Sequence, residues 1–305
     1  MENKLITLQE AIRQNVRDGT SIVMGTDMEA KIPFSAGHEI IRQGRRNLTL
    51  IGPISDILFD QLIGAGCVST IRAAWVGNVS AGSAYNLRRA VEQHKPHKIE
   101  IEDHSNFTIA LGLHAAALGA TFLPSFTALG SDIVKENENL KEITCPFTSR
   151  RMIAVRAIEP DLAIVHVQRA DSLGNCHIWG NTGITIDAVR ASKRVIVVAE
   201  EIVSTDVIAS DPNRTLIPGF LVSAVVEDRW GAHPSPVQGY YNRDNEYFSQ
   251  YHRVTATEQG FNEWLSKWVL DVSDRAEYLK LLGAERVEWL KVKRHALSEP
   301  VDYGY

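Results

Sequence analysis

The sequence predicts an α/β protein, an open and mostly parallel sheet with helices on both faces, followed by a helical C-terminal extension. Three observations lead there. Short β-branched apolar runs alternate with amphipathic segments in strand–helix–strand order, the pattern of parallel strands joined by crossover helices. Two of those runs, residues 162–167 and 195–199, are almost unbroken apolar sequence, as in central strands covered on both faces. From Thr257 onward, Phe261, Trp264, Leu265, Trp268 and Val269 recur at helical spacing and form one stripe, expected to be core or subunit interface.

The elements follow in order. Thr7 with Glu10 three residues later makes a capping box, and Leu8, Ala11, Ile12 and Val16 share a face, so the first element is a helix with Gly19 as its left-handed cap. Residues 21–24 read as a strand ending at Gly25. Residues 34–43 read as a helix ended by Gly44, and residues 48–51 as a strand ended by Gly52 and Pro53. Residues 71–75 form another strand. Residues 107–120 are apolar almost all the way round, so that helix is expected to be buried. A helix over 184–191 joins the two central strands, and residues 221–226 read as a further buried strand. No internal repeat, low-complexity segment or linker divides the chain. One domain is expected over residues 1–305, with 257–305 as its helical extension.

Composition removes several function classes. An apolar fraction of 44% and a charged fraction of 23% are those of a soluble globular protein, and a net charge of −5 with scattered basic residues gives no footprint for nucleic acid. No apolar run reaches the roughly 20 residues that span a bilayer, and the first residues lack a signal-peptide pattern. Cys67, Cys145 and Cys176 are too few and too far apart for a disulfide framework or a zinc knuckle, so a reduced, cytoplasmic protein without a metal is expected.

In an open parallel sheet, ligands bind beyond the carboxyl ends of the strands. Gly25, Thr26 and Asp27 follow the first strand with Lys31 close behind. Exposed N–H groups there suit an anionic or carbonyl oxygen, though the same residues also make an ordinary turn. The stretch 76–83 offers Asn78, Ser80 and Ser83 to a polar substrate, or simply turns the chain. Glu200 and Glu201 at a strand end could be an acid/base pair or a nucleophile; equally, one could cap the next segment while the other is solvated. Glu102, Asp103, His104 and Ser105 are a polar site element or a helix cap. His94 and His97 flank Pro96 in a lysine-rich turn, and His166 inside an apolar strand reads as a hydrogen-bonded core histidine. After Gly64 and Gly66 no third glycine completes a dinucleotide fingerprint, and neither a Walker loop nor a nucleophile elbow is present.

Residues 230–248 stand apart. Gly231, Pro234, Pro236 and Gly239 forbid regular structure, yet the segment carries His233, Ser235, Gln238, Tyr240, Tyr241 and Arg243. Disordered segments are poor in aromatics, so this long loop is expected to be ordered and used.

Several segments resemble the A (α) subunits of the class I CoA-transferase family, of the glutaconate CoA-transferase type. They are Glu200-Glu201-Ile202, Ile217-Pro218-Gly219, residues 222–226, residues 231–235 and residues 239–245. The resemblance runs collinearly through residues 31–33, 41–44, 62–66, 114–119 and 178–180, and on to 277–279 and 282–284. It implies a CoA-transferase-like fold and a homologous B subunit in an A2B2 or larger assembly, with the active site between the subunits. Coenzyme A is then a substrate, and no cofactor is permanently bound. A glutamate of the B subunit is the nucleophile, so this chain supplies none and is inactive alone. The resemblance turns Glu200 and Glu201 into structural or interface residues. It makes Gly25, Thr26, Asn78 and Ser80 (or Ser83, under a small shift) substrate-facing, adds Gly130 and Ser131 as a site loop, and sets Thr26 where the family pattern has an aromatic. It also shifts His233, Tyr240 and Tyr241 toward ordering the sheet end and the partner contact. Relatives on the same scaffold include steroid ring-opening acyl-CoA hydrolases and decarboxylases, where an A-chain residue near Glu102 or Asn106 acts in acid/base chemistry. Glu102 fits the transferase pattern, and Asn106 is an amide. A stand-alone CoA-ester binding or scaffolding protein is the third class.

Overall fold

The computed structural model describes residues 2–293 and 303. The chain opens with α1 (Leu8–Asn15), where Thr7 Oγ1 accepts the Glu10 N–H at 3.2 Å. The Glu10 carboxylate instead takes the Gln14 amide, so only half of the expected capping box forms. The helix ends on extended Val16, and Gly19, at φ +82°, shapes the turn into β1 (Ser21–Val23) rather than capping the helix. α2 (Phe34–Arg42) ends as expected, the left-handed Gly44 donating to Ile41 O. β2 (Leu48–Ile54) runs through Gly52 and Pro53, where the sequence suggested a stop. Proline's missing donor is tolerated because β1 has already ended at Val23, so that edge of β2 is unpaired there.

The chain continues with α3 (Asp56–Gly64), β3 (Val68–Trp75), the small hairpin β4 (Gly77–Asn78) and β5 (Gly82–Ser83), α4 (Tyr85–Gln93), β6 (Glu100–Asp103) and α5 (Asn106–Ala117). Next comes an antiparallel sheet that the residue pattern did not announce. It is built from β7 (Phe122–Ser125), β8 (Leu140–Thr144) and β9 (Arg151–Arg156) in the order β7–β9–β8, with the short α6 (Ile133–Glu136) between β7 and β8. The alternation then resumes through β10 (Leu162–Ala170), β11 (Cys176–His177), α7 (Thr185–Ala191), β12 (Val195–Ile202), α8 (Thr205–Ala209), β13 (Thr215–Ile217) and β14 (Ala224–Glu227). The last strand starts later than expected, because Gly219–Leu221 form a 3-10 turn. α9 (Asn245–Val254), α10 (Glu258–Leu265), a π turn (Ser266–Leu270), α11 (Arg275–Leu282) and α12 (Ala284–Leu290) complete it.

Among the described residues, nine strands form the main sheet. Its parallel body runs β14–β12–β10–β1–β2–β3–β6, with β11 antiparallel to the far end of β10 and β13 antiparallel to β11. Side chains alternate between its faces. Ile22, Leu50, Ile164 and Val198 pack toward α1–α3, while Val23, Ile51, Val165 and Val197 pack with Ile109 and Leu113 of α5 and Val189 of α7. Each such fully buried aliphatic contributes about 1.5–3 kcal/mol of transfer free energy.

Phe261, Trp264, Trp268 and Val269 join the same core cluster as α1–α3, so the C-terminal helices are built into the domain. The part of the expected extension at 294–302, 304 and 305 lies outside the described residues. The expectation of an all-round buried α5 fails: Ile109, Leu113 and Ala115 are buried, but Phe107 and Leu118 are 52% and 63% exposed.

Candidate functional site

From β1 the chain passes to β2, β3 and β6 on one side, whereas β10 lies beside β12 and β14 on the other. The order therefore reverses between β1 and β10, and a doubly wound sheet opens its binding crevice beyond the carboxyl ends of such strands. The loop after β1 is tightly built. Gly25 has φ +68°, and a Cβ there would fall 2.3 Å from Ser55 Oγ and 3.0 Å from Ser55 Cα. Met28 and Lys31 are also left-handed, at φ +63° and +51°, each costing about 1–2 kcal/mol. Such strain is held by surrounding structure and gathers at functional sites.

What holds it is a buried polar cluster. Lys31 Nζ lies 3.2 Å from Asp27 Oδ2 and donates to Asn181 O at 2.5 Å. Thr185 Oγ1 donates to Asp27 Oδ1 at 2.5 Å and stands 2.6 Å from Thr26 Oγ1, while Asn181 Nδ2 donates to Asp27 O. Burial pushes the Asp27 pKa up, with Lys31 and Thr185 acting against it. The side chains of Thr26 and Lys31 are thus engaged by the protein itself, and the turn exposes Met28 at its tip. The pairing of Asp27 with Thr185 was not legible in the sequence, where nothing links residues 158 positions apart.

The 76–83 stretch is the β4–β5 hairpin. Asn78 is buried, its Nδ2 donating to Phe248 O at 2.7 Å and its Oδ1 accepting from Ser80 N and Ala81 N at 3.1 Å. Ser80 is exposed, and its hydroxyl accepts from Arg243 Nη1 at 2.5 Å. Ser83 faces solvent across the hairpin from Gly77.

At the end of β6, Glu102 Oε1 lies 2.8 Å from His104 Nε2 and Oε2 lies 2.9 Å from Arg72 Nε. Burial acts to raise the Glu102 pKa, but the His104 hydrogen bond and the Arg72 charge outweigh it and hold the carboxyl below its ordinary value. Glu102 is therefore ionised at neutral pH, with both carboxylate oxygens engaged by His104 and Arg72, which makes it a poor proton donor and a weak base. Ser105 is the N-cap of α5 in a complete capping box with Thr108, and Asn106 is exposed in its first turn. Ser131 Oγ donates to Ala128 O at 2.8 Å, closing a turn in which Ala128 and Gly130 are left-handed.

Glu200 and Glu201 lie within β12 rather than after a strand, and they diverge. Glu200 is buried. Its Oε1 takes the Tyr241 hydroxyl at 2.6 Å and lies 2.8 Å from His166 Nε2, and its Oε2 accepts Trp230 N at 2.8 Å. His166 is thus the hydrogen-bonded core histidine that the sequence suggested. Glu201 is half exposed and paired with Arg169 at 2.9 Å. The 230–248 loop is ordered and largely buried. Tyr241 stacks on Trp230 at 4.1 Å, His233 sits 2.8 Å from Tyr278 Oη and 3.0 Å from Asp244 Oδ2, and Ser235 and Pro236 bind the backbone of the 29–31 turn. His97 Nε2 lies 2.7 Å from Val68 O. Among the described residues, no three His, Cys, Asp or Glu side chains gather to hold a metal ion, and no helix is long and apolar enough to cross a membrane.

Comparison with known proteins bears on the same features. The coenzyme A transferase family pattern matches residues 5–228. The chain belongs to the coenzyme A transferase family. It is 38% identical over 275 residues to the A subunit of 3-oxoadipate CoA-transferase from Pseudomonas knackmussii, covering 90% of this chain and 96% of that one. It is 35% identical over 306 residues to the A subunit of glutaconate CoA-transferase from Acidaminococcus fermentans, covering 95% of each. The crystal structure of that glutaconate enzyme superposes with a TM-score of 0.90 over 95% of this chain and 96% of that one. A decarboxylase, AibA/AibB, superposes at 0.75 with 27% identity over 87% of this chain and 100% of that one. Within this CoA-transferase fold, the glycine-built β1 loop and the β4–β5 hairpin lie on the same sheet end.

Proposed function

We propose that this chain is the A subunit of a heteromeric CoA-transferase that moves coenzyme A from an acyl-CoA to a carboxylic acid, a dicarboxylic or oxo acid fitting best. The observation that carries the reading is the number of large apolar side chains left exposed between α5 and β9. Besides Phe107 of α5 and Leu118 at its C-cap, Phe122 and Phe126 are exposed, and Phe147 is 93% exposed on the β8–β9 turn. Exposed apolar side chains concentrated in one stretch of chain suit a surface that a partner covers, and a homologous B subunit is the partner that supports the reading.

The nucleophile is then a glutamate of the partner. Its carboxylate attacks the thioester carbonyl, the C–S bond breaks, and CoA thiolate leaves a mixed anhydride. The thiolate attacks the glutamyl carbonyl and expels the first carboxylate, and the acceptor carboxylate repeats the two steps in reverse. Every bond broken is matched by one formed, so no water or redox partner is needed. In this reading the 25–31 turn, the 78–83 hairpin and the 128–131 turn with Gly130 and Ser131 face the acyl group; the N–H groups of Val79, Ser80 and Ala81 are bound within the chain, whereas the Ser80 hydroxyl, accepting from Arg243, keeps a proton to donate. Gly25, Thr26 and Lys31 shape that surface, and Asn78 fixes the hairpin.

Co-expression and co-purification with a candidate B subunit test the reading. The isolated chain should turn over no acyl-CoA, and the complex should transfer CoA to an added acid, with hydroxylamine or borohydride trapping a glutamate on the partner. Turnover by this chain alone, or release of free CoA or CO2 without an acceptor, refutes it. Free CoA would point to hydrolysis instead.

A further inference from the structure

Arg243 belongs to the 230–248 loop, yet its guanidinium reaches into the candidate site. Its side chain is wholly buried. Nη2 donates to Asp56 Oδ2 at 2.9 Å, and Nη1 donates to Ser80 Oγ and to Asn245 Oδ1. Nε faces Glu29 Oε2 at 3.4 Å, and the plane lies 3.8 Å over the Phe248 ring. Glu29 belongs to the turn after β1, Asp56 opens α3 after β2, and Ser80 sits in the hairpin after β3. One side chain therefore meets the carboxyl-end connections of three consecutive parallel strands. Two further bonds stiffen the arrangement, from Val79 N to Asp56 Oδ1 and from Asn78 Nδ2 to Phe248 O. Asp56 itself is held at φ +45°, a conformation that persists only when its surroundings fix it.

We propose that Arg243 is a positioning residue for CoA transfer: its planar fork sets the β1 turn, the start of α3 and the β4–β5 hairpin in one fixed geometry and so places the loops that meet the acyl group. Arginine suits the task because five fixed donors serve several acceptors at once, whereas a lysine ammonium has a single centre. The inference rests on the transferase reading for its effect on rate, but its geometric part stands by itself.

The test uses the reconstituted two-subunit complex with R243A and R243K. A misplacement of about 1 Å costs on the order of 100-fold in rate. We expect kcat of R243A to fall about that far, with KM for acyl-CoA changed less than about threefold, and to recover about tenfold with millimolar guanidinium ion. R243K keeps the charge and so guards against a folding failure. It should show the same loss and no guanidinium rescue. Amide exchange at Val79, Ser80 and Ala81, measured on the isolated chain, should accelerate in both variants and slow again with guanidinium only in R243A. Wild-type kcat in either folded variant, or unchanged exchange at those amides, overturns the proposal. If the wild-type complex transfers no CoA, the transferase reading fails by itself, and the exchange data still decide the geometry.

Discussion

Replacing Gly25 by alanine separates two costs that the structure superimposes at the head of the candidate site. The first is conformational: at φ +68° an L-residue is disfavoured by about 1–2 kcal/mol. The second is steric. The new methyl would meet Ser55 Oγ at 2.3 Å, Ser55 Cβ at 2.8 Å and Ser55 Cα at 3.0 Å. Ser55 cannot swing aside freely, because it is buried and its hydroxyl donates to Met24 O at 3.0 Å. Overpacking of that kind costs about 1–3 kcal/mol, so Gly25→Ala should destabilise the chain by about 2–5 kcal/mol.

For 305 residues an unfolding entropy near 2.1 cal/mol/K per residue turns this into a fall in Tm of about 3–8 °C. Gly44→Ala is the control. Gly44 has a similar φ of +63°, but nothing lies within 4 Å of its added Cβ, so only the conformational cost, about 2–3 °C, should remain. Thermal and urea melts of the isolated chain read both variants, and Gly25→Ala/Ser55→Gly should recover part of the steric cost. Equal losses for the two glycine variants, or no recovery in the double variant, would refute the close approach of the β1 and β2 loops.

Tyr241→Phe should cost about 1.5–3 kcal/mol, since it removes a hydrogen bond to the buried Glu200 carboxylate; a shift in urea midpoint with an unchanged m-value checks it. Asp56 gives a pH signature. Burial raises its pKa to about 6 in the folded chain against 3.8 for an ordinary aspartate, with Arg243 opposing. The folded state therefore binds this proton first, so the contribution is complete below about pH 4 and is lost as pH rises through 6. Relative to Asp56→Asn, the wild type should lose on the order of 3 kcal/mol between pH 4 and 8; urea titrations showing a difference flat in pH would contradict it. A thiol reagent at pH 8 should modify Cys145 quickly, its pKa being lowered by Thr148 and the 147–148 backbone amides. Cys67, pushed up to about 11 by burial, and Cys176, pushed still higher, should react only after unfolding. Three fast thiols in the native chain would be inconsistent with that.

The parts of the molecule that could be read from sequence are those whose cause is local. The two-faced burial of β10 and β12 shows directly in composition, because a strand covered on both sides has no polar residues to alternate. Thr7, Thr257 and Gly44 mark helix ends because caps satisfy neighbouring backbone groups. The β7–β9–β8 sheet was missed because it buries little: Ile153 and Val155 face inward on a short strand that begins and ends on arginine, and Pro124 sits on an edge strand. α5 was misread for the opposite reason. Its apolar girdle was legible, but periodicity records which faces avoid water and not which molecule covers them, so Phe107 looked like core. The site divides in the same way. Gly25 and the 76–83 turn stand out by residue type, whereas the chemistry that fixes them does not. Arg243 lies 187 residues from Asp56 and 163 from Ser80, and the local Lys31–Asp27 pair is completed by Asn181 O and the Thr185 hydroxyl from the far side of the sheet's reversal point. Contacts of that reach are set by topology, and topology follows from the strand order. Once β1 is known to lie between β2 and β10, the loops that must meet are determined, and the polar residues on them become the site.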